Sequence, residues 1–205
     1  MAHSVLSYLE RIVYCRAGET SCGNTIQFRR SVRSYKDKQV KKEVIEKIIE
    51  AGRFTPTGSN KQRIRYVVAQ ESIPMFENEA LKTFRKLQLL LGIVSKFVKL
   101  PYDVSKYKLE PDFFFYGAPT AIFIISDDDV DASLASMSIE LAAEAMGLGT
   151  LYVGFFVVAA KRSKRIRKEL GLTKKEKVVT CLAMGHPDVK YMRTVPRKKA
   201  KIEWR

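Results

Sequence analysis

Histidine occurs twice, tryptophan once and cysteine three times in these 205 residues, and each scarcity closes off a class of chemistry. Cys15, Cys22 and Cys181 are an odd and sparse set, which argues against a disulfide framework. Six residues separate Cys15 from Cys22, too many for a usual zinc or cluster pair, and His3 and His186 sit in unrelated segments, so no metal site is expected. The longest apolar run, Gly149 to Ala160, falls well short of the roughly 20 residues a membrane span requires. The start, MAHSVLSYLERIVY, has no basic stretch leading into an apolar one, and the chain reads as soluble and cytoplasmic. Neither a G-x-G-x-x-G fingerprint after a strand nor a Walker-type G-K-[ST] occurs, which removes the common dinucleotide and nucleoside triphosphate loops.

What is abundant is positive charge. The formal net charge is +15, and the segment from Lys161 to Arg205 holds 16 Lys and Arg against 4 Asp and Glu, so +12 of the excess lies there. A basic chain suits nucleic acid, an anionic membrane surface or a phosphorylated small molecule. KRSKRIRKEL reads equally well as a solvated helix face, and aromatics are not interleaved with the basic residues, so nucleic acid is the weaker expectation.

With 46% hydrophobic residues the chain can bury one sizeable core, and its elements alternate without repeats. Val40, Val44, Ile45, Ile48 and Ile49 recur at helical spacing, with Gly52 where a C-terminal cap would sit. Ile64 to Gln70 is a short β-rich run, and Met75 to Leu100 suggests one long or two broken helices. Thr120 to Ser126 (TAIFIIS) suits a buried strand, and Asp127, Asp128, Asp129 and Asp131 lead into an alanine-rich helix, Ser133 to Met146. Leu151 to Phe156 and Val178 to Met184 are the remaining strand candidates, with a basic helix from Lys161 to Leu170 between them. The pattern is α+β, helices around a mixed sheet.

Three loops are candidates for chemistry. FRRSVRSY places Arg29, Arg30, Ser31 and Arg33 ahead of the first helix, where guanidinium groups repel one another unless an anion joins them. These residues leave a phosphate site and a solvated basic loop equally open. TPTGSNKQ offers Ser59, Asn60 and Gln62 as donors and acceptors suited to the edge of a heterocycle, although an ordinary turn is the simpler reading. In GLGTLYVGFF, Gly154 either exposes a backbone N–H to a flat ligand or relieves packing.

Taken in order, RRSVR, PTGSNKQ, GAPTAIFIISD, GLGTLYVGFF and MGHPDVKYMRTVPRK resemble the flavin-dependent nitroreductase family, from Phe28 nearly to the C-terminus. The resemblance implies residues 1–27 as an N-terminal extension and residues 28–205 as an FMN-binding domain. It further implies helices flanking a mostly antiparallel sheet, a homodimer with swapped terminal segments, and FMN at the dimer interface. By position, Arg29, Arg30, Ser31 and Arg33 match the residues that hold the FMN phosphate, ribityl chain and pyrimidine edge. Pro56, Thr57, Gly58, Ser59 and Asn60 match the partner subunit's loop along the ring, with Gln62 in support. Gly154 and Phe155 match the backbone facing flavin N5, and Arg197, with Lys198 as companion, matches a late basic residue that returns to the phosphate. The implied activity is hydride transfer from NADH or NADPH through FMN to a small electron-poor acceptor such as a nitroaromatic or quinone.

Arg63 stands where the family usually carries proline, and Cys15 and Cys22 are too few to hold the cluster of a fused ferredoxin domain, leaving a separate ferredoxin as a second donor. The aromatics Phe113, Phe114, Phe115 and Tyr116 either stack on an acceptor or pack the protein, and packing is favoured for most of them. Reductive dehalogenation or flavin destruction, and a non-enzymatic nucleic-acid-binding protein, are the alternative functions.

Overall fold

A computed structural model describes residues 22–94 and 107–205. Cys15 and the stretch 95–100 of the expected helix lie outside the described residues. The helices are α1 (Cys22–Phe28), α2 (Lys42–Arg53), α3 (Ile73–Val94), α4 (Asp129–Ala145), α5 (Gly154–Arg162) and α6 (Lys164–Glu169). The strands are β1 (Arg65–Ala69), β2 (Thr120–Ser126), β3 (Gly149–Tyr152) and β4 (Lys177–Gly185), in the order β1-β2-β4-β3. Among the described residues all three strand pairings are antiparallel, so this sheet is not mixed, and parallel pairing is confined to a bridge between Ser31 and Thr150.

Every residue of β2 is buried, because helices cover both of its faces. Successive strand side chains point to opposite faces. Ile122 and Ile124 therefore join Ile45 and Ile48 of α2 and Ala132, Ile139 and Ala143 of α4. Ala121, Phe123 and Ile125 face the opposite cluster, with Phe76 and Phe84 of α3 and Phe156 of α5. Phe123 and Phe156 stack with ring centroids 5.0 Å apart. A buried phenylalanine contributes about 1.5–3 kcal/mol by area alone, so this second cluster anchors the sheet to α5.

Local sequence explains most of the boundaries. Asp128 caps α4, its carboxylate accepting from the N–H groups of Val130 at 2.9 Å and Asp131 at 3.1 Å. The helix thus starts four residues before the expected Ser133. Gly52 is not a cap: α2 continues through Arg53, and a Cβ at Gly52 would lie 2.8 Å from the Ile139 side chain, so glycine is there for the crossing of α2 over α4.

The largest departure follows β3. The expected strand Leu151 to Phe156 ends at Tyr152, and GFFVVAAKR forms α5 instead. Phe156, Ala159 and Ala160 are its buried residues, a helical spacing that overrides the β-propensity of the Phe-Phe-Val-Val run. The basic segment then divides at Ser163, whose hydroxyl accepts from the Ile166 N–H at 3.2 Å and caps α6.

Residues 29–36 lie along the open edge of β3 and the end of β4. The N–H of Val32 donates to the Thr150 carbonyl at 2.9 Å, and the N–H of Lys36 to the His186 carbonyl at 2.9 Å. A Cβ on Gly149 would fall 2.5 Å from Val32, so the glycine permits this seat. The arginine-rich motif is thereby carried to the start of α5.

Candidate functional site

A cavity of about 430 Å³ opens where the arginine motif, the end of β3 and the start of α5 meet. Arg33, Phe113, Phe114 and Tyr116 line it together with residues 151–155 and Val158. The first-turn N–H groups of α5, at Gly154, Phe155 and Phe156, have no acceptor within their own helix. A Cβ added to Gly154 would meet no heavy atom within 4 Å, so the space beside this backbone is open. The Arg33 guanidinium lies 5.9 Å from the centroid of the Tyr116 ring and has no carboxylate partner among the described residues. A slot with aromatic walls, free amides and one unmatched cation suits a flat ligand that carries negative charge.

The other arginines are placed differently. Arg29 Nη1 donates to Glu140 Oε1 at 2.7 Å, and the Glu140 side chain is only 2% exposed. Thr150 Oγ1 donates to the same oxygen at 3.3 Å. Tyr152, which lines the cavity, has its phenol pushed above the usual range by partial desolvation and then by the Glu140 charge. Arg30 stacks over the Tyr191 ring at 4.4 Å and donates to the Arg193 carbonyl at 3.1 Å, while the Tyr191 hydroxyl donates to the Ser31 carbonyl at 3.1 Å. These contacts bring the basic C-terminal segment to the motif. Arg197 and Lys198, further along this segment, are exposed.

The second loop is elsewhere in the chain. Gly58 N–H donates to both carboxylate oxygens of Asp131 at 3.1 and 3.2 Å, and Thr55 Oγ1 donates to Ser138 Oγ at 3.0 Å. Asn60 Oδ1 accepts from Gln62 Nε2 at 2.8 Å. Ser59, Asn60 and Gln62 have φ of 55°, 54° and 50°, a left-handed conformation that is strained for residues other than glycine. Asp131 and Glu140 are nine residues apart on α4, or about 13 Å along the helix axis. Of the fourteen candidate residues, Arg33, Gly154 and Phe155 meet in the cavity and Arg29, Arg30 and Ser31 lie beside it. None of Pro56, Thr57, Gly58, Ser59, Asn60 and Gln62 lines it.

A family model, described as the nitroreductase family, matches residues 26–186. The chain belongs to the nitroreductase family. A provisionally named NADH dehydrogenase/NAD(P)H nitroreductase from Archaeoglobus fulgidus is 26% identical over 172 residues, covering 81% of this chain and 85% of that protein. A nitroreductase with bound FMN from Desulfitobacterium hafniense is similar in structure, with a TM-score of 0.68 at 22% identity over 88% of this chain and 97% of that one. A BluB-like flavoprotein from Clostridium difficile gives a TM-score of 0.71 at 20% identity, over 88% and 95%.

Within this nitroreductase-family chain, sequence reading missed Glu140 and Tyr152. Glu140 left a faint signal, a carboxylate between Ile139 and Leu141 in SIELAAEA, with Glu144 one turn further on. Cys181 is buried in the sheet with its thiol pushed upward by desolvation, which leaves it inert. No cluster of potential metal ligands occurs among the described residues, and no described helix is long and apolar enough to cross a membrane.

Proposed function

We propose that this protein is an FMN-dependent oxidoreductase that passes hydride from NADH or NADPH to an electron-poor small molecule such as a nitroaromatic or quinone. One observation carries the proposal: a single aromatic-walled cavity joins the unmatched Arg33 to the open first turn of α5 at Gly154. When bound, FMN supplies hydride exchange at N5, and the residues of the chain bind and orient it. Arg33 offsets negative charge at the pyrimidine edge, while the N–H groups of Gly154 and Phe155 orient the reactive edge. Arg30 and Ser31, with Arg197 and Lys198 from the C-terminal segment, serve the phosphate, and Arg29 supports them through its pair with Glu140. Phe113, Phe114 and Tyr116 exclude water from the slot.

The functional unit in this reading is a cytoplasmic homodimer, with residues 28–205 as the FMN-binding domain. Val130, Leu134 and Met137 form an exposed apolar stripe on α4, and Ile202 and Trp204 are exposed on the C-terminal segment, Trp204 at 90%. A second copy seated on the stripe covers it and carries the Pro56 to Gln62 loop, which stands at the same end of α4, to the partner's ring site. The test is spectroscopic. Purified protein is expected to be yellow, to bleach anaerobically with NADH or NADPH, and to recover its colour with a nitroaromatic. A colourless protein that does not bind added FMN contradicts the proposal.

A further inference from the structure

Glu77, on α3, is a carboxyl group with only 5% of its residue surface exposed. Burial is costly for a carboxylate unless donors surround it, and no Lys or Arg among the described residues pairs with it. Its donor is a peptide group: Oε1 accepts the N–H of Phe114 at 3.3 Å. Burial pushes the carboxyl above its ordinary range, and the nearby peptide N–H groups of the turn oppose that rise. Oε2 is buried with no hydrogen-bond partner among the described residues.

The segment gripped in this way is the turn over residues 111–117. Its backbone is strained at two non-glycine positions, Asp112 with φ 61° and Tyr116 with φ 54°. From the same turn Phe113, Phe114 and Tyr116 reach the cavity, and Phe113 stacks on Phe155 at 6.1 Å with an interplanar angle of 13°. The Phe114 ring packs edge-on against Phe84 at 5.7 Å, so one face of the turn is keyed into α3 by its ring and by its amide. Without the Glu77 acceptor, the buried Phe114 N–H and a strained backbone are both left without support.

We propose that Glu77 is a positioning residue that holds the 111–117 turn in its strained shape and thereby fixes the aromatic wall against which an acceptor seats. This rests on the oxidoreductase reading of the cavity. The wall controls acceptor affinity, whereas cofactor affinity belongs to the arginine motif and the start of α5. An apolar residue of similar size fills the same space and supplies no acceptor to the turn.

The test is amide hydrogen exchange on the full chain, comparing wild type with Glu77→Gln and Glu77→Leu. The Phe114 amide is expected to exchange at least about tenfold faster in Glu77→Leu and to stay protected in Glu77→Gln, whose amide oxygen still accepts its N–H, with the β2 amides unchanged in both. In FMN-loaded Glu77→Leu, KM for a naphthoquinone acceptor is expected to rise about tenfold while kcat and FMN affinity stay within about twofold, and Glu77→Gln is expected to keep a KM near that of wild type. Unchanged Phe114 exchange or an unchanged KM in Glu77→Leu, or a Glu77→Gln protein that loses both as Glu77→Leu does, overturns the proposal. If neither variant folds, wild-type exchange decides: a Phe114 amide as fast as an exposed loop amide overturns it, and a protected one supports it. If wild type binds no FMN, the oxidoreductase reading fails while the exchange comparison still judges the anchor.

Discussion

At the scale of single residues, the arginine motif divides its labour. Arg29 and Arg33 stand four positions apart, yet one is matched to a buried carboxylate and the other faces an open cavity without an anion. Their removal should therefore be felt in different measurements. Arg29→Ala leaves Glu140 buried and uncompensated, and a loss of about 3 kcal/mol in unfolding free energy is expected, the lower end for a broken buried pair because Arg29 keeps some solvent contact. Arg33→Ala removes a charge from the slot and should weaken FMN binding by about 10–100-fold with little change in stability. Denaturation and FMN titration of the two variants check this division; equal effects of both on stability and on binding count against it. The composition of RRSVR was legible from sequence, but not which arginine is already paired. Glu140 lies more than a hundred residues away, and only the fold brings it to Arg29.

Among elements, α2, α4 and β1 meet where Gly52 lets Ile139 come close, and the Tyr66 hydroxyl is buried there without a hydrogen-bond partner among the described residues. Burial pushes the Tyr66 phenol up to about 12 from an ordinary 10. A folded-state pKa above the unfolded value means that the unfolded chain loses its proton first. Stability is then fully present below pH 10 and declines as pH rises towards 12. Tyr66→Phe, which removes the hydroxyl and keeps the ring, should reduce that decline while costing little at neutral pH; equilibrium unfolding across the range measures it, and an unchanged slope contradicts it. Elements with a strong pattern were legible from sequence, as the apolar run TAIFIIS and the helical spacing around Ile45 and Ile48 show. The Phe-Phe-Val-Val run of α5 was not, because its β-propensity opposes the helical spacing of Phe156, Ala159 and Ala160, and tertiary burial decides between them. Gly52 read as a cap for a related reason: sequence marks a special backbone position but not the helix that crosses it.

For the whole molecule, the second loop and the cavity are separated within one chain, and the exposed stripe on α4 lies beside the loop. Association through that stripe is the simplest way to unite them. Leu134→Glu places a charge in the stripe, and it should shift the protein towards monomer and weaken FMN retention together; sedimentation and flavin absorbance test the pair, and a monomer that keeps its full FMN affinity breaks the link. The central claim is that the cavity at the start of α5 is the FMN site, and Gly154 offers its most direct test. Space beside this residue is empty of protein atoms, so Gly154→Val should fold as wild type does while its side chain occupies the place of the ligand. FMN titration into the apoprotein, followed by quenching of flavin fluorescence, should saturate at about one FMN per chain in wild type and show binding at least about tenfold weaker in a folded Gly154→Val protein. Undiminished FMN affinity in that variant would contradict the claim.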